Sequence, residues 1–177
     1  ARWIEDYADA AAKHLAEFER KANKKASPEY RRLIVDLKIQ IGLGRFFGAK
    51  FRSGVLYGLF EKSGDAGALA EAIKAYRRAR DAWAEVADVS RGVYMTDVTV
   101  GELPQLRGHW ADRLPAMDRD IAAMEAKVSA ANETATSQPP VKALVDEAMA
   151  RPSRAMIAVH HAPPATFRTG QPIEIDL

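Results

Sequence analysis

The densest cluster of chemistry-bearing residues is Arg107-Gly108-His109-Trp110-Ala111-Asp112-Arg113. Two guanidinium groups, an imidazole, a carboxylate three residues further on and an indole have the makings of a small anion or sugar site. The cations supply charge and the indole supplies a stacking face. Arg107, His109, Trp110, Asp112 and Arg113 are therefore the candidate ligand-binding residues. The same types also support a structural reading. His109 would cap or bridge backbone groups, Trp110 would enter the core, and Asp112 would pair with an arginine or cap a helix starting at Leu114. Composition and spacing leave both readings open.

Other polar groupings point less far. His160 and His161 adjoin Pro163-Pro164, and neighbouring residues on a strand face opposite ways, so the pair does not converge on one ion. With only His14 and His109 elsewhere, no metal site is expected. Lys38, Arg45 and Arg52 recur every seven residues. They are read as paired with acids on neighbouring helices, such as Asp112, Asp118 or Asp120. Three cations with no basic surplus further along make a thin nucleic-acid footprint, so no nucleic-acid partner is expected. Glu5/Asp6 and Asp118/Asp120 have spacings common on solvated helix faces. No nucleophile elbow, phosphate-cradling glycine loop or zinc-binding helix motif appears. An enzyme built on these helices would need His109 or Glu61 held in a pocket. No catalytic residue and no cofactor are assigned.

The elements that must position these groups are mostly helices. Trp3, Tyr7, Ala11, His14, Phe18 and Ala22 recur at helical spacing, predicting a first helix over residues 2 to 25 with an aromatic stripe. Ser27-Pro28-Glu29 opens a second as N-cap, first-turn proline and first-turn acid; Ser63-Gly64-Asp65 closes it. That stretch contains Gly42, Gly44, Gly48, Gly54 and Gly58. Each glycine costs about 1 kcal/mol against alanine inside a helix, so five need a reason. Either they form a face for close helix packing, or the helix breaks at Gly42-Leu43-Gly44 to make a pocket. Asp65 caps a third helix to Val89, antiparallel to the second across the short turn. Residues 91–101 are β-branched and bounded by glycines. Leu114, Met117, Ile121, Met124 and Val128 keep a 3–4 rhythm, predicting a fourth helix to Ala131.

The fold class is mainly α: an antiparallel bundle of about four long helices over residues 1–131. A polar linker over 132–140 follows, then a short helix and a partial β hairpin or strand segment over 141–177, marked by Met156–Val159 and the alternating Ile173–Leu177. The 177 residues are 47% hydrophobic with 28% charged, net +2 and no cysteine. That composition excludes disorder over most of the chain, a disulfide scaffold and a thiolate metal site. It leaves the compartment open, export included. No membrane partner is expected, and no signal peptide is read at Ala1-Arg2-Trp3. The abrupt start and the strand-like finish read as a piece of a longer polypeptide.

Trp3…Leu15 entering a bundle, the Arg107–Leu114 stretch, His161-Ala162-Pro163-Pro164 and Phe167-Arg168-Thr169-Gly170-Gln171-Pro172 occur in that order. The order resembles the region after the catalytic barrel in large bacterial glycoside-hydrolase-like proteins of the α-glucuronidase and hexosaminidase kind. The resemblance covers most of the chain and implies an immunoglobulin-like strand near the C-terminus. It implies a non-catalytic accessory domain of a carbohydrate-active protein, buttressing a catalytic domain of the same polypeptide and contacting glycan. It carries over no catalytic residue. The alternative is a helical interaction or oligomerisation module using the Trp3, Tyr7 and Phe18 stripe or the glycine face.

Overall fold

The computed structural model describes residues 1–23, 27–98, 102–103, 107–134 and 141–152, with 129–134 described by backbone alone. The chain is mainly helical. Helix α1 spans Arg2–Lys21, α2 Pro28–Ser63, α3 Ala66–Ser90, α4 Leu114–Thr134 and α5 Val141–Met149, with a 3₁₀ turn at Trp110–Arg113 leading into α4. Their caps explain the boundaries. Ser27 Oγ accepts from Tyr30 N at 3.1 Å and Pro28 fills the first turn. Gly64 closes α2 with φ 70°, its N–H donating to Phe60 O, the left-handed geometry that glycine adopts without strain. Asp65 Oδ1 then accepts from Ala68 N at 2.7 Å to start α3.

Helix α2 runs unbroken for 36 residues, about 54 Å at 1.5 Å per residue. The break considered at Gly42-Gly44 does not occur, because these glycines are packing positions. A Cβ on Gly42 would lie 2.4 Å from Val86 Cγ2, and one on Gly44 would lie 3.0 Å from Ala8 Cβ. Neighbouring helices are antiparallel: α1 packs on α2, α2 on α3 and α3 on α4, while α5 lies against α2 and α3.

The α2–α3 seam is the best-packed part. Alanines 68, 72, 75, 79 and 82 of α3 are buried together with Leu56, Leu69 and Val86. Small side chains on one helix let the large ones of the other interlock closely. Phe46 stacks obliquely on Trp83 at 4.7 Å between centroids, and Met117 of α4 joins that cluster. Ser53 keeps its hydroxyl satisfied in the seam by donating to Ala72 O at 2.9 Å.

The β-branched, glycine-bounded stretch after α3 forms no strand among its described residues. Residues 91–98 are turn and bend. Gly92 takes φ 72°, and the N–H groups of Val93 and Tyr94 both donate to Ser90 O. Those donors close a turn and are unavailable to a ladder. The polar linker begins later than expected, since α4 extends to Thr134. The β segment expected over 153–177, including Met156–Val159, His160-His161 and Ile173–Leu177, lies outside the described residues.

Candidate functional site

The Arg107–Arg113 loop joins the C-terminal end of α3 to α4, and its side chains converge mainly on one another. Asp97 accepts from Gly108 N at 2.9 Å and pairs with Arg107 at 3.0 Å. Asp112 Oδ2 accepts from His109 N at 2.7 Å, and His109 Nδ1 accepts from Ala111 N at 3.2 Å. An accepting Nδ1 places the ring proton on Nε2, which faces Ser90 Oγ at 3.3 Å; Ser90 in turn donates to Ala87 O at 3.0 Å. Arg113 donates to Arg107 O. Gly108 sits at φ 97°, and a Cβ there would be 2.5 Å from Asp112 Oδ2. Trp110 is half-buried, edge-on to Tyr94 at 5.3 Å, and its carbonyl accepts from Trp83 Nε1 at 2.7 Å.

All five sequence-predicted residues are therefore brought together, as a reciprocal capping box and its fastenings. His109 Nδ1 and Asp112 Oδ2 are each taken up by a backbone N–H of the loop. His109 and Glu61 do not share a pocket. They lie near opposite ends of α3, whose 25 residues span roughly 37 Å.

The three cations of the seven-residue series on α2 are paired, with partners other than the expected aspartates. Lys38 meets Glu19 at 3.0 Å, Arg45 meets Glu85 at 3.7 Å and Arg52 meets Glu5. Asp118 instead pairs with Arg80 at 2.8 Å. Arg52 is buried. Its Nε and Nη2 each reach a Glu5 carboxylate oxygen at 2.6 Å, and its Nη1 donates to Ala148 O and Ala150 O at the end of α5. One guanidinium thus fastens α1, α2 and α5, and satisfies carbonyls left over at a helix terminus. The hydrogen bond from Arg52 holds the Glu5 carboxyl below the usual carboxylate range, against burial, with the charges of Arg52 and Arg151 adding to the effect. A Cβ on Gly48 would lie 2.6 Å from Glu5 Cγ, so the glycine leaves the lane through which Glu5 reaches Arg52.

Tyr76 lines a cleft between α3 and α4. Burial, then a 2.8 Å hydrogen bond to Asp120, pushes its phenol up to about 12. It stays protonated near neutrality and cannot serve as a base. No group of three or more His, Asp or Glu residues among the described residues could hold a metal ion. No described helix is long and apolar enough to cross a membrane.

The most open feature is apolar. On α1, Trp3, Tyr7 and Phe18 are exposed at 56%, 71% and 44%; on α2, Leu33, Leu37, Phe47, Phe51 and Val55 are exposed as well. Between the two helices runs a groove of about 600 Å³ lined by Tyr7, Ala11, Phe18, Leu37, Ile41 and Gly44. Sequence reasoning found the α1 stripe and missed its α2 continuation. The signal was present: positions 33, 37, 40, 44, 47 and 51 alternate steps of four and three, but a glutamine and a glycine interrupt the apolar residues.

Comparison with known proteins finds no match for this chain: no family model, no curated protein and no solved structure aligns with it.

Proposed function

We propose that this chain is a non-catalytic helical interaction module that docks through the exposed face of α1 and α2. The observation that carries the reading is the size and continuity of that face. Aromatic residues from two adjacent helices stand in solvent beside a groove, whereas isolated exposed apolar residues would need no explanation. Its aromatic content matches the composition of interface cores. The accessory role implied by the resemblance, buttressing a catalytic domain of a carbohydrate-active protein, is favoured by the same face, which such a domain would cover. Glycan contact through Trp110 would have to use its exposed edge alone, because the polar groups around it are engaged within the loop.

The test is a pair of measurements on Phe47→Ser/Phe51→Ser. At a dilution that keeps the chain monomeric, a docking face predicts an unchanged unfolding midpoint together with loss of binding to an apolar-surface dye. A fall in midpoint as large as core truncation produces would make the face part of the internal core and overturn the reading.

A further inference from the structure

The free face of α2 is complementary to itself. Leu33, Leu37, Gln40, Gly44, Phe47, Phe51, Gly54 and Gly58 follow one another by steps of four and three. At 100° per residue they occupy a single arc about 100° wide. Large side chains fill the first and central positions, and glycines close the series. Nothing lies within 4 Å of a Cβ built on Gly54 or Gly58, so these two are hollows, unlike Gly42, which is filled from α3, and Gly44 and Gly48, which are filled from α1.

An antiparallel copy of α2 centred between Arg45 and Phe46 sets Leu33, Leu37 and Phe51 each against a small or unbranched residue. Leu33 meets Gly58, Leu37 meets Gly54 and Phe51 meets Gln40, while Phe47 passes beside Gly44, whose near side Ala8 of its own chain covers. The same match recurs across a two-fold axis, as an isologous interface requires. Antiparallel packing also opposes the two helix dipoles favourably.

The area is of the right size. Five exposed aromatics on α1 and α2, each carrying about 150–250 Å² of which roughly half is uncovered, contribute on the order of 500 Å². Leu33, Leu37 and Val55 add to this, bringing the face towards the ~800 Å² per partner that a stable interface buries.

Building on the docking reading above, we infer that the occupant of this face is a second copy of the chain. Helix α2 pairs with α2 of its partner in antiparallel register, Leu37 against Gly54, and α1 from each copy flanks the seam.

The chain has no cysteine, so the register can be read by disulfide trapping. Leu37→Cys and Gly54→Cys proteins, mixed under mild oxidant, are expected to link to each other and only weakly to themselves. Sedimentation of the unmodified chain is expected to show a dimer. Gly54→Leu/Gly58→Leu fills the hollows from the solvent side; it should keep the helical signal and, at a dilution that keeps the chain monomeric, an unfolding midpoint at least as high as that of the unmodified chain, while raising the dimer dissociation constant about 100-fold. A dimer whose Leu37→Cys protein links to itself overturns the register, and a strict monomer overturns the pairing. A monomer whose dye binding is abolished by Phe47→Ser/Phe51→Ser overturns the pairing and leaves the docking reading standing. A monomer that binds no dye overturns both.

Discussion

The two sides of α2 are built from the same ingredients and end differently. Towards α3, Gly42 is filled by Val86, and Phe46 is covered by Ala79, Ala82 and Trp83. On the outer side, Gly54 and Gly58 meet nothing, and Phe47 and Phe51 stand half-exposed. Adjacent phenylalanines, 46 and 47, thus lie on opposite sides of the divide. Residue type alone does not define a core. What distinguishes the sides is whether a neighbouring element supplies atoms of matching volume, and on the outer side no described element does so.

Substitutions that break the packed side should act most strongly. Arg52→Ala leaves Glu5 without its guanidinium and the end of α5 without its donor, and is expected to lower stability by about 3 kcal/mol, measured by denaturant unfolding. The same pair sets an acid limit. Because the folded-state pKa of Glu5 is lowered, its contribution is fully present above the ordinary carboxylate range and is lost as pH falls through the lowered value. Glu5→Gln should therefore be less stable at neutral pH, and its stability should fall less steeply in acid. Parallel acid titrations of the two proteins would miss this sign if the pair contributed nothing.

Next in size, Gly42→Ala pushes a methyl group onto the β-branched Val86 and should cost about 1–3 kcal/mol, read from the same unfolding curves. The contrast sharpens with Gly54→Ala. With open space around the site, the better helix propensity should prevail and stabilise the monomer by about 1 kcal/mol, measured at a dilution that keeps the chain monomeric. Smallest of all, Phe51→Ser on the outer side should change monomer stability by less than about 0.5 kcal/mol, visible as coincident thermal melts. A loss comparable to that of Gly42→Ala would erase the distinction between the sides.

The helices were legible because their signals are local. Ser27-Pro28-Glu29, Ser63-Gly64-Asp65 and the rhythm from Leu114 to Val128 state their own starts and stops. The α2–α3 hairpin followed from the length of one turn. Partners were less legible, since pairing depends on which faces meet. Lys38, Arg45 and Arg52 asked for acids, but nothing local singles out Glu19, Glu85 and Glu5 over Asp112, Asp118 and Asp120. Near Val93 the β-branched composition describes a side-chain preference, whereas Gly92 and Ser90 O decide where the N–H groups go. In the Arg107–Arg113 loop, sequence brought the right residues together and left their role undecided. Only geometry shows that Asp112 spends a carboxylate oxygen on the His109 N–H and that His109 spends Nδ1 on the Ala111 N–H.

The Arg52 junction also bears on how long the fold lasts. Helices α1 to α4 pair with their neighbours in the chain, and such contacts form quickly because little loop must be closed. Arg52 also reaches two carbonyls at the end of α5, 96 and 98 residues away, so those bonds close after the helical hairpins have assembled. An interaction absent from the folding transition state governs the rate of escape from the native state. Replacing Arg52 should accordingly shorten the lifetime of the folded chain far more than it delays folding, which makes this one side chain the latch on the molecule's kinetic durability.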